Sequence, residues 1–416
     1  MTCLTRLTRA DCNDLDQADP LAARRDAFAL PEGVIYLDGH SLGPMPRAAL
    51  DRLHQAASVE WARHLIGSWN SAGWFQAPHR LGARLAPLIG AADDEVVVTD
   101  STAINLFKVS AAALALRPER RVVVMDGSDF PTNTYVIQGL TALMGRGYQI
   151  RFAEHPNIAE ALDETVAATI LNQAHYRTAR LLDMAAITAR AHAVGALAVW
   201  DLCHSAGVAP VDLNGAGADF AVGCTYKYLN GGPGSPAFIF AARRHHGIAA
   251  QPLTGWWGHA EPFAFDRDYR PAAGIGQMLT GTQPILSLAA TEAGLDLAAD
   301  VDIGQMRAKC LSLGDLLVRL IEERCPDAGF TLISPRDGAQ RGGHVAFDHR
   351  DGYPIMRALI DRGVIGDFRA PQTLRFGLAP LYVRHVDIWD AVDILAQVMR
   401  EETWRAPQFS QRDAVT

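Results

Sequence analysis

The chain has 416 residues, 49% hydrophobic and 20% charged, with a formal net charge of −8 at pH 7. That is globular composition, with enough apolar mass for two or three domains. The acidic balance without a basic run speaks against nucleic acid as a partner, and no apolar stretch reaches the roughly 18–20 residues that span a membrane.

The opening M-T-C-L-T-R-L-T-R-A-D has no long apolar core, so no signal peptide is expected. The six cysteines, at 3, 12, 203, 224, 310 and 325, form no C-x-x-C pair and no Cys/His metal spacing. No metal is expected, and a reducing cytoplasmic setting fits best.

In chain order, residues 15–30 read as a helix within an amino-terminal segment (1–50) that packs with the carboxy-terminal domain. Across 51–290, apolar β-branched runs recur at 95–99, 121–125, 149–153, 166–171, 196–201, 219–223 and 237–241. Most are separated by helix-length segments, the pattern of an α/β domain with a mainly parallel seven-stranded sheet covered on both faces. The last two runs are joined by a short Gly/Pro-rich loop, so one antiparallel neighbour is expected. Beyond 290 the pattern changes to a smaller α+β domain (291–416). It has an amphipathic helix at 303–322, short strands at 330–333, 344–347 and 373–376, and a closing helix at 386–403.

Only three lysines occur in the chain, Lys108, Lys227 and Lys309, against 35 arginines. Arginine replaces lysine as a surface charge but not as a nucleophilic amine, because guanidinium stays protonated. Lys227 lies in T-Y-K-Y-L-N-G-G-P-G (225–234), before a glycine-rich turn. The chemistry that needs such an amine is condensation with a carbonyl, above all that of pyridoxal phosphate.

Other residues fit that chemistry. Asp201 ends the run A-L-A-V-W-D, at the carboxyl end of a strand where α/β sheets bind ligands. It can hold a protonated ring nitrogen; the plain alternative is a helix-capping aspartate. His204 can sit near the ring or order the Asp201 loop. Thr102 and Ala103 open a helix whose N–H groups suit a phosphate, although a simple N-cap reads the same way. Phe130 can stack on a planar ring or belong to the core. Tyr226 can donate to a phosphate or act as an acid. Trp256 and Thr282 lie on turn-rich segments of the kind that complete a neighbouring subunit's site. Arg375 suits bidentate carboxylate binding.

The motifs Y-L-D-G-H-S-L-G (36–43), S-W-N-S-A-G-W (68–74), F-P-T-N (130–133), W-D-L-C-H-S-A-G (200–207), G-C-T-Y-K-Y-L-N-G-G-P-G (223–234), G-W-W-G-H (255–259), G-T-Q-P-I (281–285) and L-R-F-G (374–377) together resemble bacterial kynureninases in order and spacing. The resemblance implies a fold-type-I pyridoxal-phosphate enzyme, a homodimer with shared active sites, that hydrolyses L-kynurenine or its 3-hydroxy form to anthranilate and L-alanine in tryptophan catabolism. It makes Lys227 the cofactor lysine, with Thr102, Ala103, Tyr226 and the partner's Trp256 and Thr282 around the phosphate. Phe130 would cover the ring, Asp201 would meet its nitrogen, and Asn133 and His204 would lie close by. Arg375, with His40, Ser41 and Trp69, falls on the substrate side. The freed Lys227 would take the α-proton, water would add to the γ-carbonyl, the Cβ–Cγ bond would break, and Tyr226 would return a proton.

The chain departs from the family pattern at several places. Gly39-His40-Ser41 stands for G-N-S, placing a bulky ring near the site entrance. Ala103 stands for a hydroxyl residue. Asn133 stands for an aspartate, leaving Asp201 as the principal acid near the ring, so that Asn133→Asp should raise turnover. Q-A-H-Y-R-T-A (173–179) stands for H-V-N-Y-K-T-G. These departures keep two alternatives open: a relative acting on another γ-keto or β-aryl amino acid, and a catalytically silent paralogue. Cysteine desulfuration needs a mobile loop cysteine. Cys310 falls within a helix and Cys325 just past its end, which argues against that reaction.

Overall fold

The computed structural model describes residues 7–411. The chain divides into two compact units. The larger comprises 48–176 and 182–300; the smaller comprises 301–411, 177–181 and the described part of 1–47. The strands are β1 (Ile35–Tyr36), β2 (Val96–Val98), β3 (Val122–Asp126), β4 (Gln149–Ala153), β5 (Val166–Asn172), β6 (Leu197–Asp201), β7 (Phe220–Gly223), β8 (Phe238–Ala241), β9 (Thr331–Leu332), β10 (His344–Asp348), β11 (Val364–Ile365), β12 (Asp367–Arg369) and β13 (Thr373–Gly377).

The larger unit is built on a seven-stranded sheet in the order β2-β8-β7-β6-β5-β3-β4. All neighbouring pairs are parallel except those of β8, which runs antiparallel to both β2 and β7. Successive side chains of a strand point to opposite faces, and here both faces are covered. Val96, Val98, Val122, Val124, Ala198 and Trp200 enter one apolar cluster. Val97, Val123, Met125, Leu197 and Val199 enter the other. That two-sided burial is why the strands read as unbroken apolar runs. β3, β5 and β6 are adjacent and parallel, and they end at the same edge in Asp126, Asn172 and Asp201.

In the smaller unit, β12-β13-β10-β9 form an antiparallel sheet and β1 pairs in parallel with β11. The helices Ile303–Arg324 and His385–Arg400 match the expected ones closely. Asp16 sits at the start of the latter, accepting from the backbone N–H groups of His385 and Val386 and from His385 Nδ1. Two expectations are corrected. The helix placed at 15–30 is instead Arg9–Gln17 followed by a short 3-10 turn, Ala22–Ala27. A reciprocal Thr8–Asp11 cap starts it early, and Pro20 cannot continue it. The helix Gly352–Asp361 was not foreseen; its Pro354 lies in the first turn, where its missing N–H costs nothing.

Candidate active site

Lys227 lies in the loop between β7 and β8. Tyr228 and Leu229 are buried and anchor that loop in the core. Asn230 adopts φ 54° and Gly232 φ 92°, left-handed geometry that turns the chain back. Gly231 donates to the Thr225 carbonyl at 2.8 Å, and a Cβ on Gly231 would meet Ser235 Oγ at 2.8 Å. The loop is therefore tied at both ends, and the lysine is held by backbone geometry. Its Nζ lies 2.9 Å from His204 Nε2 and 5.9 Å from the Tyr226 ring centre. The other two lysines are both in buried ion pairs. Lys108 Nζ reaches Asp100 at 2.5 Å and the Met278 carbonyl at 2.8 Å; Lys309 reaches Asp19 at 2.6 Å. Lys227 alone of the three faces a histidine rather than a carboxylate among the described residues.

Asp201 is 5% exposed at the end of β6. Its Oδ1 accepts from the Cys203 N–H at 2.8 Å, so it does cap the following turn, while Oδ2 accepts from Asn133 Nδ2 at 3.0 Å. The same Asn133 nitrogen lies 3.1 Å from Asp129 Oδ2 and 3.1 Å from Asn172 Oδ1. Asp129 Oδ1 accepts from the Phe130 N–H at 2.6 Å and from Asn172 Nδ2. Asp201, expected as the principal acid here, therefore has a second carboxylate beside it. Burial, and then the charge of Asp201, pushes the Asp129 carboxyl up to about 7. No local pattern announces this pairing, since three separate strand ends bring it together.

Thr102 opens the helix Thr102–Ala115, with Ser101 as N-cap and Ala103 next in the first turn. Thr102 Oγ1 lies 3.6 Å from Cys203 Sγ. Neighbouring Cys224, then burial, raises the Tyr226 hydroxyl far above its ordinary value, so it keeps its proton at neutral pH. Phe130 is 44% exposed and packs edge-on to Tyr176, with ring centres 5.4 Å apart. Trp69, expected on the substrate side, packs edge-on against Trp74 and Trp257. Trp256 extends this aromatic group toward Phe75 and Phe263 and is 40% exposed. Thr282 is exposed on its turn.

In the smaller unit, Arg375 stands directly across from Asp367 in the β12–β13 register. Its Nε and Nη2 each meet a carboxylate oxygen of Asp367 at 2.6 Å. Ser41 Oγ donates to Asp367 at 3.2 Å, and Arg369 reaches the same carboxylate at 2.8 Å. Burial and the charge of Asp367 raise Asp38 to about 7. His40 is corrected: it is fully buried rather than near an entrance, stacked on His344 with ring centres 5.0 Å apart. A side chain at Gly377 would collide with its Nδ1. Asp38, His40 and Asp367 bring donor atoms within 4.8 Å of one another. Arg375 and Arg369 already neutralise Asp367, so the group reads as an arginine seat rather than a metal site.

The segment 173–179 also has defined contacts. Gln173 Nε2 donates to the Pro210 carbonyl at 3.2 Å, and His175 Nε2 lies 2.9 Å from the Ser128 carbonyl. Arg177 reaches Asp348 and Thr373, and Ala179 holds φ 60°, a conformation that favours glycine.

Solved structures with this fold include the cysteine desulfurase CsdA from Escherichia coli, with a TM-score of 0.75 and 19% identity over 92% of this chain and 98% of that one. A cysteine desulfurase from Thermococcus onnurineus NA1 has a TM-score of 0.77 and 17% identity, covering 91% of this chain and 98% of its own. The architecture is that of the fold-type-I, class V aminotransferase group. A family profile described as the kynureninase C-terminal domain matches residues 306–395. Kynureninase of Burkholderia mallei (strain ATCC 23344) is 53% identical over 414 residues, covering 98% of this chain and 100% of the relative. Kynureninase of Pseudomonas fluorescens is 52% identical over the same length and coverage. The chain belongs to the kynureninase family of hydrolases.

Proposed function

We propose that the chain hydrolyses the Cβ–Cγ bond of L-kynurenine, or of 3-hydroxykynurenine, to an anthranilate and L-alanine, with pyridoxal phosphate held by Lys227. The observation that carries this is the Lys227 amine, fixed in a tied loop 2.9 Å from His204 Nε2. The donor set fits the cofactor: an amine for its carbonyl, the Asp201 carboxylate for its ring nitrogen, and the helix start at Thr102 and Ala103 for its phosphate. Pyridoxal phosphate, when bound, supplies a carbonyl for amine capture and an electron sink at the substrate Cα.

The remaining work belongs to the protein. Lys227 Nζ carries a proton to and from the substrate carbon, and His204 orients that amine through their hydrogen bond. Asp201 keeps the ring nitrogen protonated. Asn133 fixes one Asp201 oxygen and the Cys203 N–H fixes the other. Phe130 shields the ring face. The Tyr226 hydroxyl, protonated at neutral pH, is the proton donor of the later steps. Arg375, set by Asp367, takes the substrate carboxylate, with Ser41 alongside.

We further infer a cytoplasmic homodimer in which Trp256 and Thr282 reach a neighbour's phosphate site. Its support is an apolar surface in which Phe263 and Phe265 are 66% and 84% exposed beside Trp256. The solved neighbours raise desulfuration as a second reading. Cys310 and Cys325 disfavour it: both are buried, and burial raises both thiols, Cys310 to about 11. The test is reconstitution with pyridoxal phosphate. Wild type should gain an absorbance band near about 420 nm that Lys227→Ala lacks; an identical band in both would refute the lysine assignment.

A further inference from the structure

We propose that Asp129 is a second carboxylate of the cofactor-ring site, a positioning residue that acts on the ring nitrogen through Asn133 and Asp201. The inference rests on the reading of Asp201 as the ring-nitrogen partner.

Asp129 follows β3, and Asp201 ends β6, two strands away in the same parallel set. Both are less than a tenth exposed. Their Oδ2 atoms share one donor, Asn133 Nδ2, at 3.1 and 3.0 Å. An amide nitrogen has two hydrogens, and here it meets three acceptors, the third being Asn172 Oδ1 at 3.1 Å. The hydrogen-bond partners of Asp129 among the described residues are amides and one backbone N–H. Two buried carboxylates held together by neutral amides make a region of negative potential that a cation completes.

A protonated ring nitrogen at Asp201 supplies that cation, and the second negative charge behind Asn133 holds the proton on it. The acid absent at position 133 is thus present at position 129, reaching the same point in space from the other side of the shared amide. Burial and the charge of Asp201 raise Asp129 to about 7, a sign that the two carboxylates feel each other.

The experiment titrates pyridoxal phosphate into wild type, Asp129→Asn, Asp201→Asn and the exchange Asp129→Asn/Asn133→Asp, reading tryptophan quenching and the absorbance band. Asparagine at 129 keeps an oxygen for the Phe130 and Asn172 donors but turns its NH2 toward Asn133, so a thermal melt read beside the titration separates loss of that contact from loss of the charge. The expected result is a loss of about tenfold in cofactor affinity for Asp129→Asn, the scale of one screened charge. The exchange variant should recover to within about threefold of wild type, because it restores the charge count. Wild-type affinity in Asp129→Asn alongside a loss in Asp201→Asn overturns the inference alone. So does an exchange variant no better than Asp129→Asn. Absence of any band in wild type, or undiminished binding by Asp201→Asn, overturns the Asp201 reading and this inference with it. Should Asp129→Asn fold poorly, the exchange variant decides by itself: near-wild-type affinity supports the pairing, and a tenfold loss contradicts it.

Discussion

Two buried carboxylate pairs, one in each unit, have opposite surroundings. Asp129 and Asp201 are bridged by the amide of Asn133, with the Asn172 amide on Asp129. Asp38 and Asp367 are set among Arg375, Arg369 and Ser41. In both pairs one carboxyl is raised to about 7 by burial and by its neighbour's charge. The amide-bridged pair has only neutral hydrogen-bond donors, so a nearby cation would favour its fully ionised form. The arginine-bridged pair is neutralised, with the Nε and Nη2 of Arg375 both engaged by Asp367. On the proposed assignments the first pair faces a cation and the second sets an arginine for an anion, depending on whether amides or guanidinium groups fill the space between.

The largest expected break in this contrast is Arg375→Gln. It leaves Asp367 buried without its main partner, which costs about 3–5 kcal/mol of stability. A second variant, Arg375→Lys, keeps a charge but loses the fork; steady-state kinetics should show KM for kynurenine rising by about 100-fold, with kcat changed less. Next is Asn133→Asp alone. Read from sequence, it should raise turnover; in the structure it adds a third carboxylate and removes the shared donor. Cofactor affinity should therefore fall by about tenfold or more in a binding titration.

A buried carboxylate outside both pairs serves as a control. Against the cost of its burial, hydrogen bonds from His192, His245, the Ala198 N–H and Arg244 hold Asp219 well below the carboxylate range. A depressed folded-state pKa gives stability that is fully present above the unfolded value near about 4 and is lost as pH falls below it. Asp219→Asn should cost about 2 kcal/mol at pH 7, and less as the pH drops toward 3, in denaturant melts. The smallest effect is that of Cys325→Ser, which should leave kynurenine turnover within about twofold of wild type. A large loss would revive a cysteine-dependent reaction.

The large sheet was legible because burial on both faces leaves unbroken apolar runs such as 121–125. Lys227 was legible because lysine is so scarce that each one has a specific task, and Asp201 because it ends a buried strand. Asp129 was not, since D-G-S-D-F reads locally as a polar turn; its meaning arises only when β3, β5 and β6 end side by side. His40 was misread for a similar reason: a histidine in a glycine-rich segment looks exposed, and only the approach of His344 and Gly377 encloses it. The three-residue edge strand β12 is too short to carry a periodic signal, yet it supplies Asp367 to Arg375.

The central claim is that the Lys227 amine directs hydrolysis of kynurenine. The most direct measurement is the release of anthranilate fluorescence from L-kynurenine by the protein loaded with pyridoxal phosphate, beside Lys227→Ala treated identically. Wild type should release it steadily, with at least about a 1000-fold loss in the variant. Release that survives in Lys227→Ala, or a loaded wild type that releases none, would contradict it.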